Sequence, residues 1–92
     1  MPHDLEGLLD DVPPERLEDV RAGLNRLTPR ELVVLRRVIA GETAEASSRD
    51  LGITTRTVEL HRQQILAKLT VKNMTQAVRM IALLERDQPR EH

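Results

Sequence analysis

The sequence predicts an all-α protein, a small four-helix bundle preceded by one or two extra N-terminal helices. Three observations carry that prediction. Apolar residues recur at spacings of three and four along most of the 92 residues, and no alternating strand pattern persists. Thr or Asn stands just ahead of the later stripes, with Gly41 and Gly52 closing two of them. Cys, Phe, Tyr and Trp are all absent, so the core must be aliphatic, and disulfides and thiol chemistry are excluded.

Leu5, Leu8, Leu9 and Val12 share one face of a first short helix. Pro13-Pro14 interrupts it, because proline disfavours the helical region for the residue before it. Pro14 then suits the first position of a new helix, whose stripe is Leu17, Val20, Leu24 and Leu27. In Thr28-Pro29-Arg30-Glu31 the capping Thr, the Pro at the first helical position and the Glu at the third form a capping box. Leu27 and Leu32 flank it as a hydrophobic staple. Leu32, Leu35, Val38 and Ile39 are expected on the core side of this helix, and Gly41 suits a left-handed stop.

A short helix follows from about Ala44 to Leu51, capped by Thr43 and stopped by Gly52. After the tight turn Gly52-Ile53-Thr54, Thr54 caps a helix running to about Thr70, with Ile53 and Val58 as its staple. Asn73 and Gln76 make a further capping pair for a last helix, roughly Met74 to Arg86. Its expected core stripe is Met74, Ala77, Val78, Ile81 and Leu84. Residues 1–26 thus form an acidic N-terminal helical extension, 27–86 the main domain, and 87–92 a polar tail that frays.

The net charge of −1 conceals an asymmetry. Residues 1–20 hold seven acids and one base, whereas residues 21–92 hold thirteen bases and eight acids. A basic body suits a polyanion, although two solvated surfaces of opposite sign explain the charge alone equally well. No apolar run approaches the ~20 residues of a membrane helix. Asp4, Glu6, Asp10 and Asp11 occupy the place of a signal peptide's basic and apolar regions, so a cytoplasmic location and no membrane partner are expected.

Two helices around a glycine-containing turn make a helix-turn-helix, whose second helix can enter the DNA major groove. At about 100° per residue, with Val58 at zero, Ile65 and Leu69 fall within about 20° and define the buried side. Arg56, Glu59, Leu60, Gln63 and Ala67 fall between about 100° and 200°, on the outward side. Arg can read guanine, Gln adenine, Glu the cytosine amino group, and Leu can touch a thymine methyl. Thr57, His61 and Lys68 lie on the flank, where a groove-inserted helix meets phosphates. An ordinary amphipathic helix with a solvated face has the same spacing.

Leu27-Thr28-Pro29-Arg30-Glu31, Leu35, Gly41, Leu51, Gly52-Ile53-Thr54, Arg56-Thr57-Val58-Glu59, His61, Lys68-Leu69, Val71 and Val78 together resemble the LuxR/FixJ-type (GerE-like) helix-turn-helix domain. The resemblance covers about Leu27 to Leu84, and Val78-Arg79-Met80 brings it nearest the FixJ branch. It implies a four-helix bundle whose third helix reads the major groove and whose last helix commonly forms the dimer. It implies base reading by Glu59, Leu60 and Gln63, and turn or phosphate roles for Thr54, Arg56, His61 and Lys68. Ser47-Ser48 stand where the family usually has Ile-Ala, and a buried Ile replaced by Ser loses apolar area worth about 2–3 kcal/mol. Ala44 and Glu45 replace the usual Asn-Lys, which weakens phosphate contacts there. FixJ-type regulators carry a receiver domain ahead of this module; about 26 residues precede it here, so a stand-alone member is expected rather than an excised fragment.

His3, His61 and His92 are far apart, and no Gly-rich phosphate loop, paired carboxylates or metal-spaced cluster is found, so no enzyme, cofactor, metal or small-molecule ligand is expected. The expected function is sequence-specific binding of double-stranded DNA by a homodimeric transcription regulator, with RNA polymerase as a further partner. The alternative is an interaction protein that sequesters another regulator or a polymerase subunit. In the last helix, Met80 and Leu83 lie off the expected core stripe and are expected to be exposed as the dimer contact. Leu17, Val20 and Leu24 are expected to cover the core of their own subunit.

Overall fold

The computed structural model describes residues 12–87, which contain five α-helices and, among those residues, no strand. They are α1 (Pro14–Leu24), α2 (Pro29–Ile39), α3 (Ala44–Leu51), α4 (Thr55–Leu69) and α5 (Met74–Asp87). The short helix expected ahead of Pro13 and the polar tail lie outside the described residues.

Each start is set by a local group. Pro14 opens α1 with Pro13 as its cap. At α2 the Thr28 hydroxyl accepts from the Glu31 backbone N–H at 3.1 Å, and the Glu31 carboxylate accepts from the Thr28 N–H at 2.9 Å. Thr43 accepts from Ala46 N–H, and Thr54 from Thr57 N–H, both at 3.1 Å. Asn73 Oδ1 accepts from Gln76 N–H at 2.8 Å, while Gln76 Oε1 accepts from Lys72 N–H at 2.7 Å. Gly41 (φ +86°) follows α2 and Gly52 (φ +69°) ends α3, both in the left-handed region that only glycine adopts without cost.

α4 is the hub: it packs against all four other helices, while α1 also lies along α5. Its buried side is Val58, Ile65 and Leu69, each fully buried, as the helical angles predict. Val34 and Leu35 of α2, Ala44 of α3, Ala77 of α5 and Val20 of α1 close the same core. Leu17 and Leu24 pack half-buried beside Val20, so α1 does cover the core of its own subunit.

One helix is rotated from expectation and another is buried over a wider face. In α2 the core side carries Glu31, Val34 and Leu35, with Val38 half-buried, while Leu32 and Ile39 are exposed. Apolar residues surround this helix, so their spacing does not choose a face; the buried Glu31 does. In α5 the expected Ala77 and Leu84 are buried and Met74 and Ile81 pack half-buried against the core, but Val78 does not join it, and Met80 and Leu83 are buried as well. Met80 and Leu83, expected exposed, are 3% and 7% exposed. The start of α1 and the two residues before it lie on this side of α5: Val12, Pro13 and Arg16 line one small cavity together with Gln76, Arg79 and Met80.

Two backbone positions are special. A Cβ on Gly23 would collide with the Lys68 carbonyl oxygen and lie 2.9 Å from Leu69 Cα, so α1 and α4 meet backbone to backbone. Thr70, which caps α4, has φ +59°, costly for a β-branched residue. Two opposite outcomes are expected in thermal unfolding. Gly23→Ala lowers the midpoint although alanine favours helices by about 1 kcal/mol, whereas Thr70→Gly raises it. A raised midpoint for Gly23→Ala would show that the helices can move apart freely.

Candidate nucleic-acid interface

The helix-turn-helix is α3, the Gly52-Ile53-Thr54 turn and α4. Ile53 N–H donates to Ser48 O at 3.1 Å, closing the turn onto α3. On the side of α4 opposite the core, Arg56, Glu59, Leu60, Gln63, Gln64 and Ala67 are all exposed. Leu60 keeps 46% of its surface, unusual for a leucine in the middle of a packed helix. Its neighbours on the arc are one cation, one anion and two amides, which together can donate to and accept from base edges. Gln64 is a member that sequence reasoning did not single out; about 40° beyond Leu60, it could have been found by extending the same arc.

Thr54 and Thr57 share a hydroxyl hydrogen bond of 2.9 Å at the N-terminus of α4, where backbone N–H groups and the helix dipole favour an anion. His61 and Arg62 flank the arc half-buried. Arg62 Nη2 donates to Glu42 O at 3.2 Å, while His61 Nδ1 and Arg62 Nε are buried without a hydrogen-bond partner.

The profile described as bacterial regulatory proteins, luxR family, matches residues 25–81. The chain belongs to the luxR family. The resemblance read from its motifs is therefore confirmed, and the family is one of helix-turn-helix transcription regulators rather than enzymes. The chain is similar to the transcriptional regulatory protein FixJ of Rhizobium meliloti (strain 1021), 44% identical over 62 residues, which are 67% of this chain and 30% of that protein. It is 38% identical over 65 residues to the transcriptional regulatory protein DesR of Bacillus subtilis (strain 168), covering 71% and 33% of the two chains. It is 34% identical over 73 residues to MctR of Rhizobium johnstonii, covering 79% and 33%. The chain thus spans about a third of the length of these relatives. No solved structure matches it significantly.

Within this luxR domain Lys68, an expected phosphate contact, is also engaged inside the protein. Lys68 Nζ lies 2.7 Å from Glu31 Oε1 and donates to Arg26 O at 3.2 Å. The Glu31 side chain is only 4% exposed and that of Lys68 31%. Lys68 therefore has partners within the fold, and its charge is shared with a buried carboxylate. Burial alone would push the Glu31 carboxyl up, but the Lys68 hydrogen bond and charge and the Thr28 backbone N–H outweigh it. Its pKa falls below the usual 4.5.

The two serines are better accommodated than the lost apolar area suggests. Ser47 donates to Glu42 Oε1 at 3.3 Å, and Ser48 donates to Glu45 O at 2.8 Å and lies 3.3 Å from the Thr55 hydroxyl. Arg37 of α2 reaches Glu42 and Asp50, both at 2.8 Å, and so ties α3 to α2 through the same carboxylate. Among the described residues, no helix is long and apolar enough to cross a membrane, and no group of His, Cys, Asp or Glu is placed to hold a metal.

Because the folded-state pKa of Glu31 is depressed, its pairing stabilises the fold above the unfolded pKa and is lost as pH falls through the folded value. Urea midpoints measured from pH 7 downwards should therefore decline below about 4.5, and Glu31→Gln should flatten that decline. Lys68→Ala should cost about 2–3 kcal/mol at neutral pH, because it strands a buried carboxylate. A parent-like acid slope in Glu31→Gln would contradict the role given to the pair.

Proposed function

We propose that this domain binds double-stranded DNA in a sequence-specific manner, as a homodimer, with α4 in the major groove, and so regulates transcription. The observation that carries the reading is the exposed arc of α4, polar around Leu60, on a helix whose other side is fully buried. Glu59, Leu60 and Gln63 read base edges, with Gln64 beside them. Thr54, Arg56, Thr57 and His61 meet the phosphate backbone. The FixJ and DesR relatives are transcriptional regulatory proteins by name, which supports the same reading.

The homodimer contact is assigned to the side of α5 that α1 leaves open. There Val38, Met74, Thr75 and Val78 line a shallow groove edged by Arg79, and Ala82, one turn beyond Val78, is exposed. This replaces Met80 and Leu83, which their own subunit covers. A small self-complementary patch makes a weak dimer that two DNA half-sites reinforce by raising the effective concentration. A second reading, an interaction protein for another regulator or RNA polymerase, is favoured by one feature. Leu32 and Val33 (each 37% exposed) and Ile39 (48%) form an uncovered apolar face on α2.

Selection of bound duplexes from a random pool separates the readings. A recovered palindromic motif supports DNA reading by a dimer, and no enrichment favours the interaction protein. Gln63→Ala should change the recovered motif, each base contact being worth about 1–3 kcal/mol. Arg56→Ala should weaken all sequences alike and reduce the salt dependence, which Lys68 substitutions should leave at the parent's slope. Ala82→Glu, at an exposed helical position, should bind half-sites normally and palindromes much more weakly. Parent-like palindrome binding would move the interface off α5.

A further inference from the structure

The last turn of α4 is held by residues that lie on neither α4 nor its reading face. Gly23, outside the luxR match, rests directly on the backbone of Lys68 and Leu69. Two residues beyond α1, Arg26 donates from Nη2 to the Lys68 carbonyl oxygen at 3.0 Å, and Lys68 Nζ donates back to the Arg26 carbonyl at 3.2 Å. An α-helix leaves its last four carbonyls without intrahelical partners, and a cation placed there also meets the negative end of the helix dipole. In α4 the carbonyls of Leu66 and Ala67 are taken by Val71 N–H and Thr70 N–H, and Arg26 takes that of Lys68.

This latch sits one turn from the reading residues. Gln63, Gln64 and Ala67 lie within five positions of Lys68 on the same helix, so the tilt of the helix end sets where they meet base edges. The opposite end is held separately, by the α3 turn and the Ser48–Thr55 contact. We propose that Gly23 and Arg26, at the corner between α1 and α2, position α4 for reading. They set discrimination between DNA sequences without touching DNA themselves. This rests on the DNA-reading function proposed above.

The test uses the full chain, with Arg26→Ala and Arg26→Lys. Fluorescence anisotropy measures each against the selected duplex and a scrambled duplex of equal length, over a range of salt, with circular dichroism as the folding control. Arg26→Ala should stay folded and lose about tenfold on the selected duplex, the size of one base contact. It should keep the parent's affinity for the scrambled duplex and the parent's salt slope. Arg26→Lys, which keeps a donor within reach of the Lys68 carbonyl, should recover most of the loss. Equal losses on both duplexes, with a salt slope lower by about one, would make Arg26 a phosphate contact and overturn the inference. An unchanged ratio between the duplexes in Arg26→Ala would overturn it as well. A parent with no preference for the selected duplex overturns the DNA-reading function itself, and the parent arm identifies that outcome.

Discussion

The ion pair between Glu31 and Lys68 is the constraint on which the rest of the structure depends. Its partners are 37 positions apart, one in the first turn of α2 and the other in the last turn of α4. A buried carboxylate is costly unless it is paired and hydrogen-bonded, and here the Thr28 N–H and Lys68 Nζ meet on one oxygen, Oε1. The cap that starts α2 and the contact that anchors α4 are therefore one network. Once Glu31 must face Lys68, α2 has a single rotation, with Val34 and Leu35 inward and Leu32, Val33 and Ile39 outward. The side of α4 opposite Val58, Ile65 and Leu69 is then left for a partner.

The local punctuation was legible in the residues. Thr28, Thr43, Thr54 and Asn73 each cap the helix expected of them, and Gly41 and Gly52 take the left-handed turns. Each rests on a hydrogen bond within three residues or on one backbone angle, so the neighbouring sequence suffices. The outward arc of α4 was legible as well, because its apolar residues fall on one side only. The rotation of α2 and the added burial of Met80 and Leu83 in α5 were not. Six apolar residues surround α2, and a glutamate inside a core is invisible to a hydrophobic pattern until its distant partner is known. In α5 the burial of Met80 depends on where α1 lies. That placement follows from the close approach at Gly23, which a glycine in a helical stripe does not announce.

The same long-range packing extends beyond the family match. Helix α1 lies outside residues 25–81, yet Val20 is in the common core and Gly23 touches the end of α4. The helix that covers part of α5 also holds the helix that presents Glu59, Leu60 and Gln63. Polar substitutions that look unfavourable in isolation fit the same scheme. Ser47 and Ser48 give up apolar area, but Ser47 joins Arg37, Glu42 and Asp50 in tying α3 to α2, and Ser48 meets Thr55 at the start of α4 while its carbonyl accepts from Ile53 N–H in the turn.

Backbone chemical shifts of the full chain, followed as a selected duplex is added, test the central claim most directly. The account predicts the largest changes between Thr54 and Ala67, centred on Glu59, Leu60, Gln63 and Gln64, with the outer face of α1 around Glu15 and Asp19 unaffected. Changes centred instead on Leu32, Val33 and Ile39, with α4 undisturbed, would contradict it.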